Sequence, residues 1–234
     1  LNLKFERLDY IMKKKSILIP VLLVATVIFA GCTSQLDVVA DKSISSFESV
    51  INELPIEADS EDSSWILTAP DNSAKFLWSK DFSSTTDYDV KLEFDSQPFI
   101  NAGLDISKLP EGVLNGDKII LGTDLSDEKL TYTGEATPLD SYKKIVEKSR
   151  DSIGYHAALD HYGIDLENGN MFEWAKDIST NDKDIVFVLN PQMFIDAGVN
   201  PQEVEGWVFA KVETMDKDGK KIEVDKFLKP FDLK

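Results

Sequence analysis

Apolar residues recur along this chain with two different periods, and each period predicts one kind of element. A first series at helical spacing covers 47–54 and a second covers 142–153. The second series continues with apolar positions up to Gly163, a residue that commonly follows a helix end. We therefore expect one helix in each half of the chain, the second running from about residue 139 to 162.

Other segments alternate between apolar and polar residues at every second position, which is typical of strands. Phe76 and Trp78 alternate in this way, and so do Phe172 and Trp174. The run 185–189 is apolar throughout, which predicts a strand buried on both faces. The pattern as a whole therefore indicates helices followed by several strands, twice along the chain.

The two series belong to an internal duplication with a spacing of about 95 residues. Residues 72–83 align with 168–179, and residues 89–105 align with 184–200. Twelve of these 29 aligned positions are identical. Two copies are too few for a solenoid, so we expect two halves that pack on each other.

The fold class expected from this pattern is α+β: a tandem duplication of two pseudo-symmetric halves, each with a mainly antiparallel sheet and helices. Gly103 and Gly198 are expected to end a short helix in each half, because glycine readily adopts the left-handed backbone found there. The two halves are expected to superpose, with Trp78 on Trp174 and the two glycines on each other.

The N-terminal region has a different composition. Three lysines after Met12 are followed by an apolar run of about 14 residues and then small residues up to Cys32, which predicts a secretory signal peptide. The expected division is a signal peptide over 1–31, with 1–11 upstream of the true start, and a tether over 32–42. The first repeat then covers 43–135 and the second covers 137–234.

The segment Phe29-Ala30-Gly31-Cys32 resembles the lipobox of bacterial lipoproteins, and Cys32 is the only cysteine of the chain. The resemblance implies that a diacylglyceryl group is attached to the Cys32 sulfur and that the chain is cut just before it. It implies a protein held on the cell membrane by this lipid and facing outside the cytoplasm.

Charge and cysteine content exclude several classes of protein. The formal net charge is −17, with 25 Lys and Arg against 42 Asp and Glu. Nucleic acid is not expected as a partner, because phosphates favour Lys and Arg. A single cysteine excludes an internal disulfide framework and a zinc site built from several cysteines.

The duplicated segments supply candidate ligand-binding residues. Each Trp could stack on a sugar or aromatic ligand, with the neighbouring Lys and Asp as polar partners, and each Gln could present its amide. The alternative is that both halves retain these residues for packing and for their turns. The candidates are Trp78, Lys80, Asp81 and Gln97 in the first half and Trp174, Lys176, Asp177 and Gln192 in the second.

His156, Asp160 and His161 all fall within the predicted second helix. His156 and Asp160 would share a face there, whereas His161 would lie roughly 140° around the helix from His156. Local sequence therefore offers no three ligands for one ion, and we expect no metal site, no cofactor and no catalytic residue. The chain also lacks the G-x-S-x-G, phosphate-loop and H-E-x-x-H motifs.

These features predict a lipid-anchored extracytoplasmic binding or interaction protein, whose partner is an envelope protein or a small molecule. Two alternatives stay open. One is a surface hydrolase that uses carboxylates or a metal near His156, and the other is a structural component of the envelope. A pocket between the halves would favour binding, whereas His156 beside two or more carboxylates would favour the hydrolase.

Overall fold

The computed structural model describes residues 19–23, 33–59, 64–80, 88–125, 137–156, 159–178, 183–215 and 220–233. Among these residues the helices are α1 (Thr33–Glu53), α2 (Gln97–Asn101), α3 (Pro138–Lys148) and α4 (Gln192–Asp196). Two single 3-10 turns cover Ile106–Lys108 and Arg150–Ser152. None of the described helices is long and apolar enough to cross a membrane.

The strands of the first half are β2 to β7, and those of the second half are β8 to β13. A further strand, β1, precedes them. The bounds are β1 Ile19–Leu23, β2 Ile56–Ala58, β3 Ser64–Thr68, β4 Ala74–Ser79, β5 Val90–Asp95, β6 Leu114–Asn115, β7 Lys118–Thr123, β8 Ile153–His156, β9 His161–Asp165, β10 Met171–Ala175, β11 Ile185–Leu189, β12 Val208–Met215 and β13 Lys221–Phe231.

The two halves form sheets with the same strand order. The first sheet runs β2-β3-β4-β5-β7-β6, and the second runs β8-β9-β10-β11-β13-β12, with β1 added beside β12. Every pairing is antiparallel except that of β1 with β12. The expected fold class, a tandem duplication of two α+β halves, is therefore confirmed.

One core, shared by both halves, lies between the two sheets. Phe76 and Phe172 occupy the same place in their halves, and their rings stack with centroids 4.2 Å apart and an angle of 2°. Trp78 and Trp174, two residues further on, are fully buried on the same inner faces. The period-two alternation of these strands thus turns the aromatic residues of each copy towards the other copy.

The two long helices tie the halves together at one end of this core. Helix α1 packs on α3 and on β8 and β10 of the second half, and α3 contacts β4 of the first. The Ser46 hydroxyl donates to the Ala175 carbonyl at 3.0 Å. The Trp78 indole donates to the Pro138 carbonyl, also at 3.0 Å. Each half therefore completes the packing of the other.

The equivalent short helices meet elsewhere in the core, through their C-terminal glycines. Gly103 and Gly198 have φ of +105° and +101°, so the predicted left-handed helix ends are confirmed. The chain after each glycine bonds to the other half: the Asp105 amide donates to Ala197 O at 2.9 Å, and the Asn200 amide donates to Ala102 O at 2.7 Å. This reciprocity is what a pseudo-two-fold axis requires.

The sequence predicts a long second helix, and this prediction is wrong beyond residue 148. Helix α3 begins after Thr137, whose hydroxyl forms a capping box with Asp140, and ends at Lys148. Strands β8 and β9 follow as a hairpin. On this hairpin the apolar residues alternate with a period of two, so that Tyr155 and Tyr162 lie opposite each other and pack on the core. This cross-strand packing determines the local structure, although the spacing of the apolar residues also fits a helix.

Candidate functional site

The second sheet brings three ionisable side chains together on its outer face, away from the shared core. His156 on β8 is directly opposite His161 on β9, and Glu173 on the next strand, β10, is opposite Gly163. Because side chains alternate along a strand, Tyr155, Tyr162 and Trp174 point into the core. The residues beside them therefore point outward, and we call His156, His161 and Glu173 the His–Glu–His cluster.

The cluster is compact and almost completely buried. One carboxylate oxygen, Glu173 Oε2, lies 3.5 Å from His156 Nδ1 and 3.8 Å from His161 Nδ1. The exposed fractions of His156, His161 and Glu173 are 4%, 2% and 1%. A Cβ added to Gly163 would lie 3.1 Å from Glu173 Cγ, so glycine leaves the room that the glutamate occupies.

Each member of the cluster has a buried polar atom without a hydrogen-bond partner. These atoms are His156 Nε2, His161 Nδ1 and Glu173 Oε1, and in the described part of the chain only Trp174 Nε1 and Asp184 Oδ1 share this state. A buried polar group without a partner costs roughly 1–3 kcal/mol. Three such atoms in one cluster indicate that it is not arranged for stability alone.

Burial and the neighbouring imidazoles act in opposite directions on the Glu173 carboxyl. Burial raises its pKa, while the hydrogen bond with His156 and the charge interactions with both imidazoles lower it. The imidazoles have the greater effect together, so the pKa of Glu173 is lowered from its ordinary value. Glu173 is therefore an anion at neutral pH, and the two histidines are what stabilise that charge.

Two further ionisable residues, Lys226 and Asp165, face the same side of the sheet. Lys226 on β13 is buried and donates to the Gly169 carbonyl at 2.6 Å. Burial lowers its pKa, although Asp165 and Glu173 raise it. Burial likewise raises the pKa of Asp165, while the Glu167 amide and Lys226 lower it. The outer face thus holds an ionisable group of each sign besides the cluster.

Several other side chains of this face are apolar. Met171, Val186 and Val188 are buried and form a small cluster of their own, with Leu228 packed against it. Low polarity around a carboxylate and two imidazoles strengthens every electrostatic interaction among them. The outer face of the second sheet therefore combines apolar walls with a few polar atoms, the composition typical of ligand sites.

The residues that the sequence offers as twin ligand sites lie elsewhere. Trp78 and Trp174 are fully buried in the shared core, which favours the packing interpretation of these residues. Lys80 donates to the Asp59 carbonyl at 2.8 Å and lies over the Trp65 ring. Lys176 pairs with Asp160 at 3.2 Å. Each lysine therefore has a partner within its own half.

The other candidates are at the surface or outside the described residues. Gln97 and Gln192 are exposed, and each donates its amide to the residue one turn later in its own helix, to Asn101 and Asp196, at 2.8 Å in both cases. Asp177 is exposed, and Asp81 lies outside the described residues, as does Cys32.

Sequence reasoning missed Glu173 altogether, although a signal was present. Glu173 stands between Phe172 and Trp174 in a strand whose neighbours are apolar, and the first copy has Leu77 in its place. An acid at a position where the duplicate has a buried leucine is expensive unless it is paired. That comparison within the chain would have singled it out.

Comparison with known proteins adds no relative. The chain matches no family model, no curated protein and no solved structure. No three His, Cys, Asp or Glu side chains of the described ranges already surround a common point where a metal ion could sit. The cluster, its surroundings and the N-terminal sequence are therefore the features that indicate a function.

Proposed function

We propose that the protein is a lipid-anchored extracytoplasmic binding protein, attached to the cell membrane through a diacylglyceryl group on Cys32. The observation that carries the anchor is Phe29-Ala30-Gly31-Cys32, which follows three lysines and an apolar run and contains the only cysteine of the chain. Two acyl chains hold a protein at a membrane far more firmly than one.

The position of α1 supports an anchor that is close to the body. Helix α1 begins at Thr33, so the residues expected to form a tether are its first turns. Arg150 pairs with Asp37 at 3.5 Å and with Asp41 at 2.8 Å, and Ala40 is already fully buried. A lipid on Cys32 would therefore hold the folded body within a few residues of the membrane surface.

The charge of the body is compatible with attachment by lipid and not by a basic surface. Removal of residues 1–31 takes away five basic and two acidic side chains, which leaves 20 basic and 40 acidic residues and a net charge of −20. An anionic membrane repels such a body. The acyl chains would then supply the attraction.

The repeat also supports cleavage before Cys32. Strand β1 lies within the segment that would be removed, and it pairs with the edge strand β12. Among the described residues of the first half, no strand corresponds to β1. Without β1 the second sheet has the same six-strand order as the first, so the duplicated unit is complete without the signal segment.

Binding is favoured over hydrolysis by the composition of the outer face. The hydrolase alternative called for His156 beside two or more carboxylates, and the described residues place one, Glu173, next to it. The space between the halves is filled by aromatic side chains, so a ligand would bind on the outer face of the second sheet. The buried polar atoms without partners are the groups that a ligand would satisfy.

The test of the anchor is Cys32→Ser, expressed in a bacterial host beside the matched control Ser34→Ala. We expect the wild type and Ser34→Ala to stay with membranes through a high-salt wash and to incorporate a fatty-acid label. Cys32→Ser should lose the label and appear in the soluble fraction. Retention of unlabelled Cys32→Ser on washed membranes would contradict the lipid anchor.

A further inference from the structure

We infer that the His–Glu–His cluster is a binding site for a single divalent transition-metal ion, with zinc the ion that fits its donors best. Two imidazoles and one carboxylate are a donor set typical of zinc sites, and three protein ligands leave one position open for water or a ligand. Calcium and magnesium prefer several oxygen donors, which this cluster lacks.

Two of the three separations between the donor atoms are close to those of a tetrahedral site. Donors that bind zinc at ordinary bond lengths lie about 3.3–3.4 Å from one another. Glu173 Oε2 is 3.5 Å from His156 Nδ1 and 3.8 Å from His161 Nδ1. The carboxylate oxygen thus lies beside both imidazoles, and because the three side chains do not surround a common point, binding of one ion requires them to rotate towards it.

The unpartnered atoms are a second, independent indication of a ligand. His161 Nδ1, one of the three donors above, is buried without a hydrogen bond, and so is Glu173 Oε1, the second oxygen of the same carboxylate. Buried polar groups in proteins are normally paired, and exceptions often mark the place of an ion or a water molecule. An ion would accept electron pairs from the imidazoles and compensate the buried negative charge of Glu173.

The nearby charges leave room for a doubly positive ion. Lys226, the lysine on β13 that interacts with the Glu173 carboxylate, also interacts with Asp165. Lys226 directs its Nζ to the Gly169 carbonyl and not to Glu173. The carboxylate of Glu173 is therefore not already neutralised by a lysine.

The first half of the same chain is an internal comparison without the site. Its sheet has the same strand order, but Leu77 stands at the place of Glu173 and Ser64 at the place of His161. Leu77 is buried, so an apolar residue packs well at that position. The sheet itself therefore does not require an acid and two imidazoles, and these residues are a feature of the second copy alone.

The experiment is a zinc titration of the chelator-treated full chain, in about 0.15 M salt so that diffuse attraction to its negative charge is screened. Calorimetry should detect one saturable zinc per chain with a Kd of about 10 µM or tighter, and thermal unfolding should shift upward by several degrees in 1 mM zinc. Cobalt in place of zinc should give the intense visible bands of a four-coordinate ion.

Variants separate this site from other ligands on the chain. Glu173→Gln and His161→Ala should each weaken zinc binding at least tenfold, whereas Asp160→Asn, a change in the adjacent turn, should leave it unchanged. Cys32→Ser should also leave it unchanged, which separates this inference from the lipid anchor and excludes the thiol as a ligand.

Two results would overturn the inference. One is the absence of saturable zinc binding to the wild-type chain, which does not depend on whether any variant folds. The other is zinc affinity that is unchanged in both Glu173→Gln and His161→Ala, because the ion would then be bound elsewhere. Circular dichroism of each variant without metal identifies a loss of binding that is due only to unfolding.

Discussion

The outer faces of the two sheets have opposite character, although their strands occupy equivalent places. In the first sheet Lys75 is opposite Glu93 and pairs with it at 3.5 Å. The equivalent positions in the second sheet are Met171 and Val188, which are buried and apolar. Leu77 in the first sheet corresponds to Glu173 in the second. At each of these three positions, a charged residue in one sheet thus corresponds to an apolar residue in the other.

The inner faces show no such exchange. Phe76 and Trp78 correspond to Phe172 and Trp174, and all four are fully buried in the shared core. A residue on an inner face must fit the other copy, so packing constrains both copies to the same side chains. The outer faces carry no such mutual constraint. Differences between the copies are therefore expected on the outer faces, where the shared core does not constrain the side chains.

The largest expected effect comes from breaking the shared core. Phe76→Ala and Phe172→Ala should each lower the free energy of unfolding by about 3–5 kcal/mol, because each removes a buried ring from the same stack. Urea unfolding followed by tryptophan fluorescence should show one transition for the whole body in both variants. Ile106→Ala, a change at a half-exposed position, should shift it by less than about 0.5 kcal/mol.

Separate transitions for the two halves would contradict a common core. So would a Phe76→Ala variant in which only the tryptophans of the first half, Trp65 and Trp78, report unfolding at lower urea concentration.

An exchange of matched outer-face residues tests the difference between the sheets. Val188→Glu gives the second face the residue of the first and should destabilise by about 2–4 kcal/mol, because it buries an unpaired charge among apolar side chains. Glu93→Val is the reciprocal change and removes a partly exposed ion pair. It should alter the free energy of unfolding by less than about 1 kcal/mol.

Urea unfolding midpoints of the two variants give this comparison directly. Equal and small effects would show that the second face is as well solvated as the first. The apolar surroundings that the proposed ligand site requires would then be absent.

A smaller effect is expected where the copies meet through glycine. A Cβ on Gly103, at φ +105°, would lie only 2.9 Å from Gly198 O, so Gly103→Ala should cost about 1–3 kcal/mol. Gly112 is the matched control, because its φ is also positive, +85°, but no atom lies within 4 Å of its added Cβ. Thermal unfolding should show a greater loss for Gly103→Ala than for Gly112→Ala, and equal losses would argue against the close approach of the two halves.

Much of the fold could be predicted from the sequence because duplication provides the same information twice. The alignment of 72–83 with 168–179 identified equivalent strands, and Gly103 and Gly198 identified equivalent helix ends. The packing of each long helix against strands of the other half could not be predicted. Contacts such as that of Ser46 with Ala175 join residues far apart in sequence, and no local pattern encodes them.

The candidate site was not predicted from the sequence, because a helical period was assigned to residues that form two strands. Ile153 fits both the helical series of α3 and the alternation of β8, and the helical interpretation placed His156 and His161 on different faces. As a hairpin, the same residues are directly opposite each other, with His161 on the strand next to that of Glu173 and His156 one strand further out. The apolar residues around Ile153 fit both a helical and a strand period. The choice between these two periods determines whether the three ionisable residues are predicted to lie together.

The most direct test of this account is the environment of the two histidine rings, which NMR can resolve because the chain contains no other histidine. The hairpin predicts NOEs between the rings of His156 and His161 and from each ring to the Glu173 side chain, with ring N–H protons protected from exchange with water. Contacts of His156 with Asp160 at helical spacing, no ring-to-ring NOE and ring protons that exchange freely would contradict it.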